Sequence, residues 1–488
     1  MPLDKSPDKL DKTDKPDHFD VVVIGSGTGG YVAAIRAAQL GLKTAVVERE
    51  ASLGGTCLNW GCIPTKALLE NAHALKVAQD AAVWGITFGK GDAKPSLDMA
   101  RVNERRTKIV TGLTKGVEFL FKKNKIEWVK GTGRLAGQGR VAVTGDAGAR
   151  TLTAREIVVA TGSAARSVPG IEIDKKTIIT SDQAIGLDAV PKSIAIMGSG
   201  AVGVEFASIF HRFGSAVTVI ELLPRIVPNE DEAVSAELEK SFKKRGIVVK
   251  TATKVTSAKV KSGGVTIEMQ GADGKVESLT IEKLLVATGR GPVTDGLGAT
   301  EAGLKLDRGF VVVDDLFHTN VAGISAIGDV ITMGKVAHPQ LAHLSSAEGI
   351  LLAERIAGHD VRPINYDHVP GCTYCEPEIG SIGLTEREAK ARGFDVRIGT
   401  FPFFVLGRAK IAGETEGFVK IVADKKYDEI LGVHMIGLRA TELVAEAAVA
   451  LRLECTVEEL IKTIHAHPTM SEAVGEAAHA AHGAAIHT

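Results

Sequence analysis

The sequence predicts an α/β chain that uses one strand–turn–helix–strand unit twice and then adds a smaller α+β domain. Three observations carry this. Apolar strand, glycine turn, helix and second strand follow one another over residues 20–47 and return over 194–220. In each copy an acid ends the second strand at the same distance from the first glycine (25 to 48, 198 to 221). Finally, FVKIVADKKYDEILGVHMIG at 418–437 reads as a hairpin and TELVAEAAVALRLE as an amphipathic helix.

Taking the elements in order, the first 18 residues, MPLDKSPDKLDKTDKPDH, alternate acid and lysine around prolines and read as a solvated tail. They lack the apolar stretch of a secretory signal and the arginines of a transit peptide, so a cytoplasmic location is expected. There most thiols are kept reduced, and a disulfide that forms is usually catalytic. At 488 residues the chain calls for two to four domains. A net charge of −1 gives no general attraction to nucleic acid or an anionic membrane. No apolar run reaches the ~18 residues of a membrane span.

In the first unit a strand over 20–24 leads into a turn with Gly25, Gly27 and Gly30, a helix over 30–40, and a strand over 43–47 that ends at Glu48. The first glycine permits the turn, the second lets the backbone approach a pyrophosphate, and the third lets helix pack on strand. Glu48 stands where a carboxylate can accept hydrogen bonds from a ribose. The second unit places Gly198, Gly200 and Gly203 at the same spacing before a strand over 216–220 and Glu221. IVVATGS at 157–163 and LLVATGR at 284–290 close the two units alike. Two Rossmann-like dinucleotide-binding domains are therefore expected, and two dinucleotides. Glu221 would repel a 2′-phosphate, so the second site favours NAD over NADP. ISAIGD at 324–329 adds a strand ending in Asp329, suited to the sugar-alcohol chain of a flavin.

GGTCLNWGCIPTK at 54–66 sets Cys57 and Cys62 five positions apart. In a regular helix that spacing separates Cα atoms by roughly 8–9 Å. A disulfide tolerates at most about 7 Å, so the helix must be distorted or Cys57 must precede it. Gly54, Gly55 and Gly61 supply the freedom, and Pro64 suits an early helical position. The stretch follows closely on Glu48, which puts the thiols near the first dinucleotide and makes a disulfide–flavin–NAD relay the expectation. Reduced core thiols or a metal pair are the alternatives, although zinc would need further ligands at matched spacing. Cys372 and Cys375, in GCTYCEPE, and Cys455 read as structural.

GGTCLNWGCIPTKALL, the two glycine units, AIGD and HAHPTMSE together resemble the flavin-dependent pyridine nucleotide-disulfide oxidoreductases, over residues 19 to about 477. The resemblance is to the members that oxidise dihydrolipoamide in 2-oxoacid dehydrogenase complexes. It implies FAD and NAD as cofactors, no metal, a homodimer with a C-terminal dimerisation domain, and a lipoyl domain as partner. It divides the chain into an FAD-binding and central domain (19–164 and 290–362), an NAD-binding domain (165–289) and a dimerisation domain (363–488). Cys57 is then the interchange thiol, Cys62 the thiol against the flavin, and Lys66 and Glu205 an ion pair beside the flavin. His467 and Glu472 form the acid–base dyad, with the histidine contributed across the dimer, while His465 is structural. Gly25, Gly27, Gly30, Glu48, Gly133, Thr161, Gly162, Ser163, Asp329, Gln340, Leu341, Ala342 and His343 fall to FAD. Gly198, Gly200, Gly203, Glu205, Glu221, Val255 and Gly289 fall to NAD.

Two departures stand out. The connection VITMGKVAHPQLAH is longer than usual, with Gln340 in place of a typical methionine, and CTYCEPEIGSIG replaces the commoner T-x-P-E-V form. Among rivals, reductases of glutathione type use NADPH, against which Glu221 speaks. Mercuric reductases add a C-terminal cysteine pair that AVGEAAHAAHGAAIHT lacks. A scaffold that keeps FAD without catalysis would need none of Cys57, Cys62, His467 and Glu472.

Overall fold

The computed structural model describes residues 17–88, 95–146, 148–261, 263–334 and 338–487. The expected tail up to residue 16 lies outside them, and the first strand already begins at Asp17. The chain forms two compact units. One comprises Met1–Asn59, Thr111–Ala164 and Gly291–Ile364, the other Trp60–Val110, Ala165–Arg290 and Asn365–Thr488.

The first unit is built on a seven-stranded sheet in the order Glu127–Lys130, Thr44–Glu48, Asp17–Ile24, Gly148–Val159, Arg140–Gly145, Thr132–Leu135. Ile324–Ala326 also pairs with Gly148–Val159, parallel to it. The pairing of Val23 with Val46 on one side and Val158 on the other is parallel, and all three side chains are buried. Strands buried on both faces read as continuous apolar runs, which is why VVVI and AVV gave them away. Helix Thr28–Gln39 packs on helix Ala342–Ile356 so closely that a side chain on Gly349 would meet the Gly29 carbonyl at 2.6 Å.

The second unit contains a five-stranded parallel sheet in the order Val248–Lys250, Ala216–Ile220, Ser193–Met197, Lys283–Val286, Ile178–Ile179. A three-stranded antiparallel sheet, Thr253–Lys261, Gly264–Gly271 and Val276–Ile281, lies in the sequence between Val248–Lys250 and Lys283–Val286. Helices Cys62–Gln79 and Ala201–Phe213 share a core through Leu68, Phe206, Ile209 and Phe210. The expected C-terminal hairpin is Gly417–Asp424 with Ile430–Gly437, at the centre of a five-stranded sheet that also holds Gly371–Thr373, Ile379–Gly383 and Val396–Pro402. The expected amphipathic helix is Ala440–Arg452, whose Val444, Ala447 and Leu451 join Val433 and Met435 in one core.

Among the described residues no helix is long and apolar enough to cross a membrane.

Candidate active site

The two glycine turns are alike to within a tenth of an ångström. Gly25 has φ +102° and Gly198 +101°, and a Cβ on either would stand 2.4 Å from a carbonyl, that of Ala160 or Ala287. Those carbonyls belong to the two ATG segments, so the closing motifs are what the turns press against. A Cβ on Gly30 would lie 2.1 Å from the Gly25 carbonyl, and one on Gly203 2.0 Å from that of Gly198. By contrast nothing lies within 4 Å of a Cβ built on Gly27 or Gly200. These two residues begin helices Thr28–Gln39 and Ala201–Phe213, neither of which has a side-chain cap. Open space in front of uncapped helix N–H groups fits a pyrophosphate.

The acids repeat as well. Glu48 Oε2 accepts from Ser26 N–H at 2.8 Å and Ser26 Oγ–H at 2.6 Å, and its Oε1 accepts from Glu50 N–H at 2.9 Å. Glu221 Oε2 accepts from Ser199 N–H at 2.8 Å and Ser199 Oγ–H at 2.7 Å, and its Oε1 from Leu223 N–H at 2.9 Å. Both carboxylates are buried and held at three points. The serines were not singled out in the sequence. Their signal was the repeated G-S-G.

Around the first turn, Thr161 Oγ–H donates to the Val293 carbonyl at 2.6 Å and Val293 N–H donates to that of Gly162 at 3.0 Å. Ser163 Oγ–H donates to Asp329 Oδ2 at 2.5 Å. Gly133 sits under the sheet end, where a Cβ would meet Ile24 and Val47 at 3.1 Å. Leu341 precedes helix Ala342–Ile356, and His343 stands exposed in its first turn. Near the second turn, Gly289 has φ +118° with open space beside it. The Val255 side chain instead packs into the core with Ile171, Met197 and Val265. Any contact it makes with a nucleotide falls to its backbone.

The cysteine stretch joins the first turn directly. Gly54 N–H donates to the Ser26 carbonyl at 3.1 Å, and a Cβ on Gly55 would stand 2.6 Å from Gly27 Cα. Cys57 lies in a short helix, Gly55–Asn59, fastened by Asn59 Nδ2–H bonds to the carbonyls of Leu53 and Gly55 at 3.1 and 3.0 Å. The helix then breaks at Trp60 and Gly61, and Cys62 opens the 18-residue helix Cys62–Gln79. The break is the distortion that the five-residue spacing demands. Lys66, one turn later, donates from Nζ to both oxygens of the buried Glu205 at 2.8 Å. Tyr374 N–H donates to Glu205 Oε1 at 2.9 Å, and its ring lies under the Lys66 ammonium at 4.8 Å. Burial, helped by the neighbouring thiol and acids, pushes the Tyr374 hydroxyl up to about 12.

At the far end of the chain His467 Nδ1 and Glu472 Oε1 share a hydrogen bond of 2.8 Å, and Thr469 N–H donates to Glu472 Oε2 at 2.8 Å. The imidazole is 77% exposed while the carboxylate is 24% exposed, so the acid is rooted and the base projects. Burial pushes Glu472 upward, but the bonds from His467 and Thr469 outweigh it and hold the carboxyl below its ordinary value. His465 has an acid of its own. Its Nε2 pairs with Glu446 Oε1 at 2.7 Å, from helix Ala440–Arg452, and this bond raises its basicity. The thiols of Cys372 and Cys375 are bonded to the Thr441 and Pro377 carbonyls. Burial pushes Cys372 up to about 11 and Cys375 well above the ordinary range. Among the described residues no group of three or more His, Cys, Asp or Glu is placed to hold a metal.

Residues 19–349 match the pyridine nucleotide-disulphide oxidoreductase family, and residues 369–478 match its dimerisation domain. The chain belongs to this family. Within it, a dihydrolipoyl dehydrogenase of Zymomonas mobilis is 45% identical over 96% of this chain and 99% of its own length. One of Bacillus subtilis is 45% identical with the same coverage. A leghemoglobin reductase of Vigna unguiculata is 43% identical over 95% of this chain and 87% of its own. Among solved structures, LpdA from Mycobacterium tuberculosis superposes with a TM-score of 0.85 at 27% identity, covering 94% of this chain and 99% of that one.

Proposed function

We propose that this chain is an oxidoreductase that converts the dihydrolipoyl group of a lipoyl domain to its disulfide and reduces NAD⁺ to NADH, working as a cytoplasmic homodimer. The observation that carries the reading is the fastening of the Cys57 turn onto the first nucleotide cradle through Gly54–Ser26 and Gly55–Gly27. Relatives named dihydrolipoyl dehydrogenase, alike over nearly the whole chain, supply the substrate class. In this assignment the FAD-binding domain is 19–164 with 290–362, the NAD-binding domain 165–289 and the dimerisation domain 363–488.

The residues fit two dinucleotides. FAD is held by Gly25, Gly27, Gly30, Glu48, Thr161–Ser163, Asp329 and the 340–343 segment, and NAD by Gly198, Gly200, Gly203 and Glu221. Glu221, already a buried acceptor, disfavours a 2′-phosphate and selects NAD over NADP. FAD, when bound, supplies the two-electron chemistry that links a dithiol to a nicotinamide.

The chain's own residues handle sulfur and protons. A disulfide between Cys57 and Cys62 is the oxidised state. His467 of one protomer takes the proton from a substrate thiol, and Glu472 stabilises the imidazolium. The substrate thiolate attacks Cys57 Sγ, which forms a mixed disulfide and breaks the bond to Cys62. Cys62 leaves as a thiolate at the first position of its helix, where the dipole favours negative charge. The second substrate thiolate then displaces Cys57 and closes the lipoyl disulfide. The balance is dithiol plus NAD⁺ to disulfide, NADH and one proton. Lys66, one turn along the helix that Cys62 opens, forms an ion pair with Glu205.

Anaerobic addition of dihydrolipoamide to the holoenzyme tests the scheme. Long-wavelength absorbance from a thiolate–flavin pair is expected, with NAD⁺ reduction lost in Cys62→Ser. Full NAD⁺ reduction by that variant, or preference for NADPH and glutathione disulfide over dihydrolipoamide and NAD⁺, would overturn it.

A further inference from the structure

The scheme leaves unused a buried histidine–glutamate pair in the first unit. Glu348, on helix Ala342–Ile356, is wholly buried, and the His338 side chain is 2% exposed. Gln340 N–H approaches His338 Nδ1 at 3.2 Å. A backbone N–H can only donate, so Nδ1 carries no proton, and Nε2–H is the donor to Glu348 Oε1 at 2.7 Å. The other oxygen of Glu348 accepts from Gly328 N–H at 2.7 Å. Gln340 Nε2–H then reaches the Asp329 carbonyl at 3.4 Å, the weakest of these bonds. Gly328, Glu348, His338, Gln340 and Asp329 thus form a ring that closes at the peptide between 328 and 329. It includes Gln340 at φ +52°, a left-handed conformation that non-glycine residues rarely adopt.

The ring ends on the backbone of Asp329, the acid assigned above to FAD. Ser163 orients the Asp329 carboxylate from one side, and the ring fixes the Asp329 backbone from the other. The lengthened connection with Gln340 in place of methionine has a physical sense here, because a methionine offers no N–H donor to Asp329. We propose that His338, Glu348 and Gln340 are positioning residues for FAD, presetting Asp329 and the turn into helix Ala342–Ile356 before the cofactor arrives. This rests on the reading of Asp329 as an FAD contact.

Apo-protein of the full chain is titrated with FAD and followed by flavin fluorescence and the visible spectrum. His338→Leu removes both ring bonds and weakens FAD binding by about tenfold to a hundredfold. His338→Gln keeps a donor and an acceptor in similar places and restores much of the affinity. Gln340→Met, which endangers no core contact, weakens FAD binding about threefold, as befits a long bond. In all three, the thermal shift given by NADH stays at the wild-type value. Wild-type FAD affinity in both His338→Leu and Gln340→Met overturns the inference. So does an equal loss in the leucine and glutamine variants that tracks the apo-protein melting temperature. Failure of the wild-type apo-protein to take up FAD would instead overturn the functional reading itself.

Discussion

Ser199→Ala removes one oxygen from the second cradle and nothing else. The hydroxyl donates to Glu221 Oε2 at 2.7 Å, and both residues are buried, with Ser199 at 0% and Glu221 at 8% exposure. A hydrogen bond to a charged group contributes about 1.5–3 kcal/mol. Two of the three donors, Ser199 N–H and Leu223 N–H, remain on the carboxylate, which places the loss at the lower end. Part of it appears as lower stability and part as a carboxylate no longer held toward the ribose. With about 1.4 kcal/mol per decade, the expected result is a KM for NAD⁺ raised about three- to tenfold. The ribose is remote from the transferred hydride, so kcat stays within about a factor of two. The assay is steady-state NAD⁺ reduction at saturating dihydrolipoamide, with FAD content measured on the same sample. Ser26→Ala is the mirror experiment and should be harsher. Ser26 Oγ also accepts from Gly54 N–H at 3.2 Å, so the variant loosens both FAD and the cysteine turn. An unmoved KM for NAD⁺ in Ser199→Ala, or an equal loss of FAD and NAD⁺ binding, would refute the account of the serines.

The dyad, the second cysteine pair and the buried lysine give further expectations. Glu472→Gln should lower kcat/KM for dihydrolipoamide by about 10²–10⁴-fold while leaving NADH-driven flavin reduction intact. Because the folded state holds Glu472 below its ordinary value of 4.5, its stabilising share is complete above that pH. Acidification through the lower folded value removes that share, and unfolding curves of wild type and variant should converge only there. Iodoacetamide at pH 8 should leave Cys372 and Cys375 unlabelled in the folded protein, read by mass spectrometry, because burial keeps both as thiols. Lys420→Met should destabilise by about 3 kcal/mol in urea unfolding, the lower end for a broken buried pair. The ammonium is 8% exposed and bonds Asp231 at 2.9 Å and Glu386 at 2.7 Å; the loss strands Asp231 at 2% exposure, whereas Glu386 keeps access to water.

What could be read in the sequence follows from how local each constraint is. Gly25, Gly30, Gly198 and Gly203 were legible because a Cβ at any of them would collide with a carbonyl a few residues or one strand away. The helix break between Cys57 and Cys62 was legible for the same kind of reason, since helix geometry alone forbids the pair. His467 and Glu472, five positions apart, could be paired by inspection. Glu446 could not be paired with His465, because it lies 19 positions earlier, on a helix that precedes the histidine's loop, and only the fold brings it to 2.7 Å. His338 and Glu348 escaped for that reason too, as did the contact of Tyr374 with Lys66. Val255 shows the converse. The sequence named the residue for NAD, and the fold turns its side chain into the core with Ile171, Met197 and Val265, which leaves its backbone for a nucleotide.

The duplicated cradle also shows where ligand identity resides. Serine, acid and three glycines keep the same spacing and nearly the same bond distances in the two units, so none of them distinguishes a flavin from a nicotinamide. Discrimination must come from what each unit adds around the same cradle. The first adds the Cys57 turn, clamped on Ser26 and Gly27, and the Asp329 ring with Ser163. The second adds Glu205 on the helix that follows its turn, paired with Lys66. A chain that evolves cofactor preference by such additions can change its chemistry without disturbing the turn that binds phosphate. Replacing the serine of either cradle by alanine would therefore shift affinity, while only the added elements could exchange the cofactors.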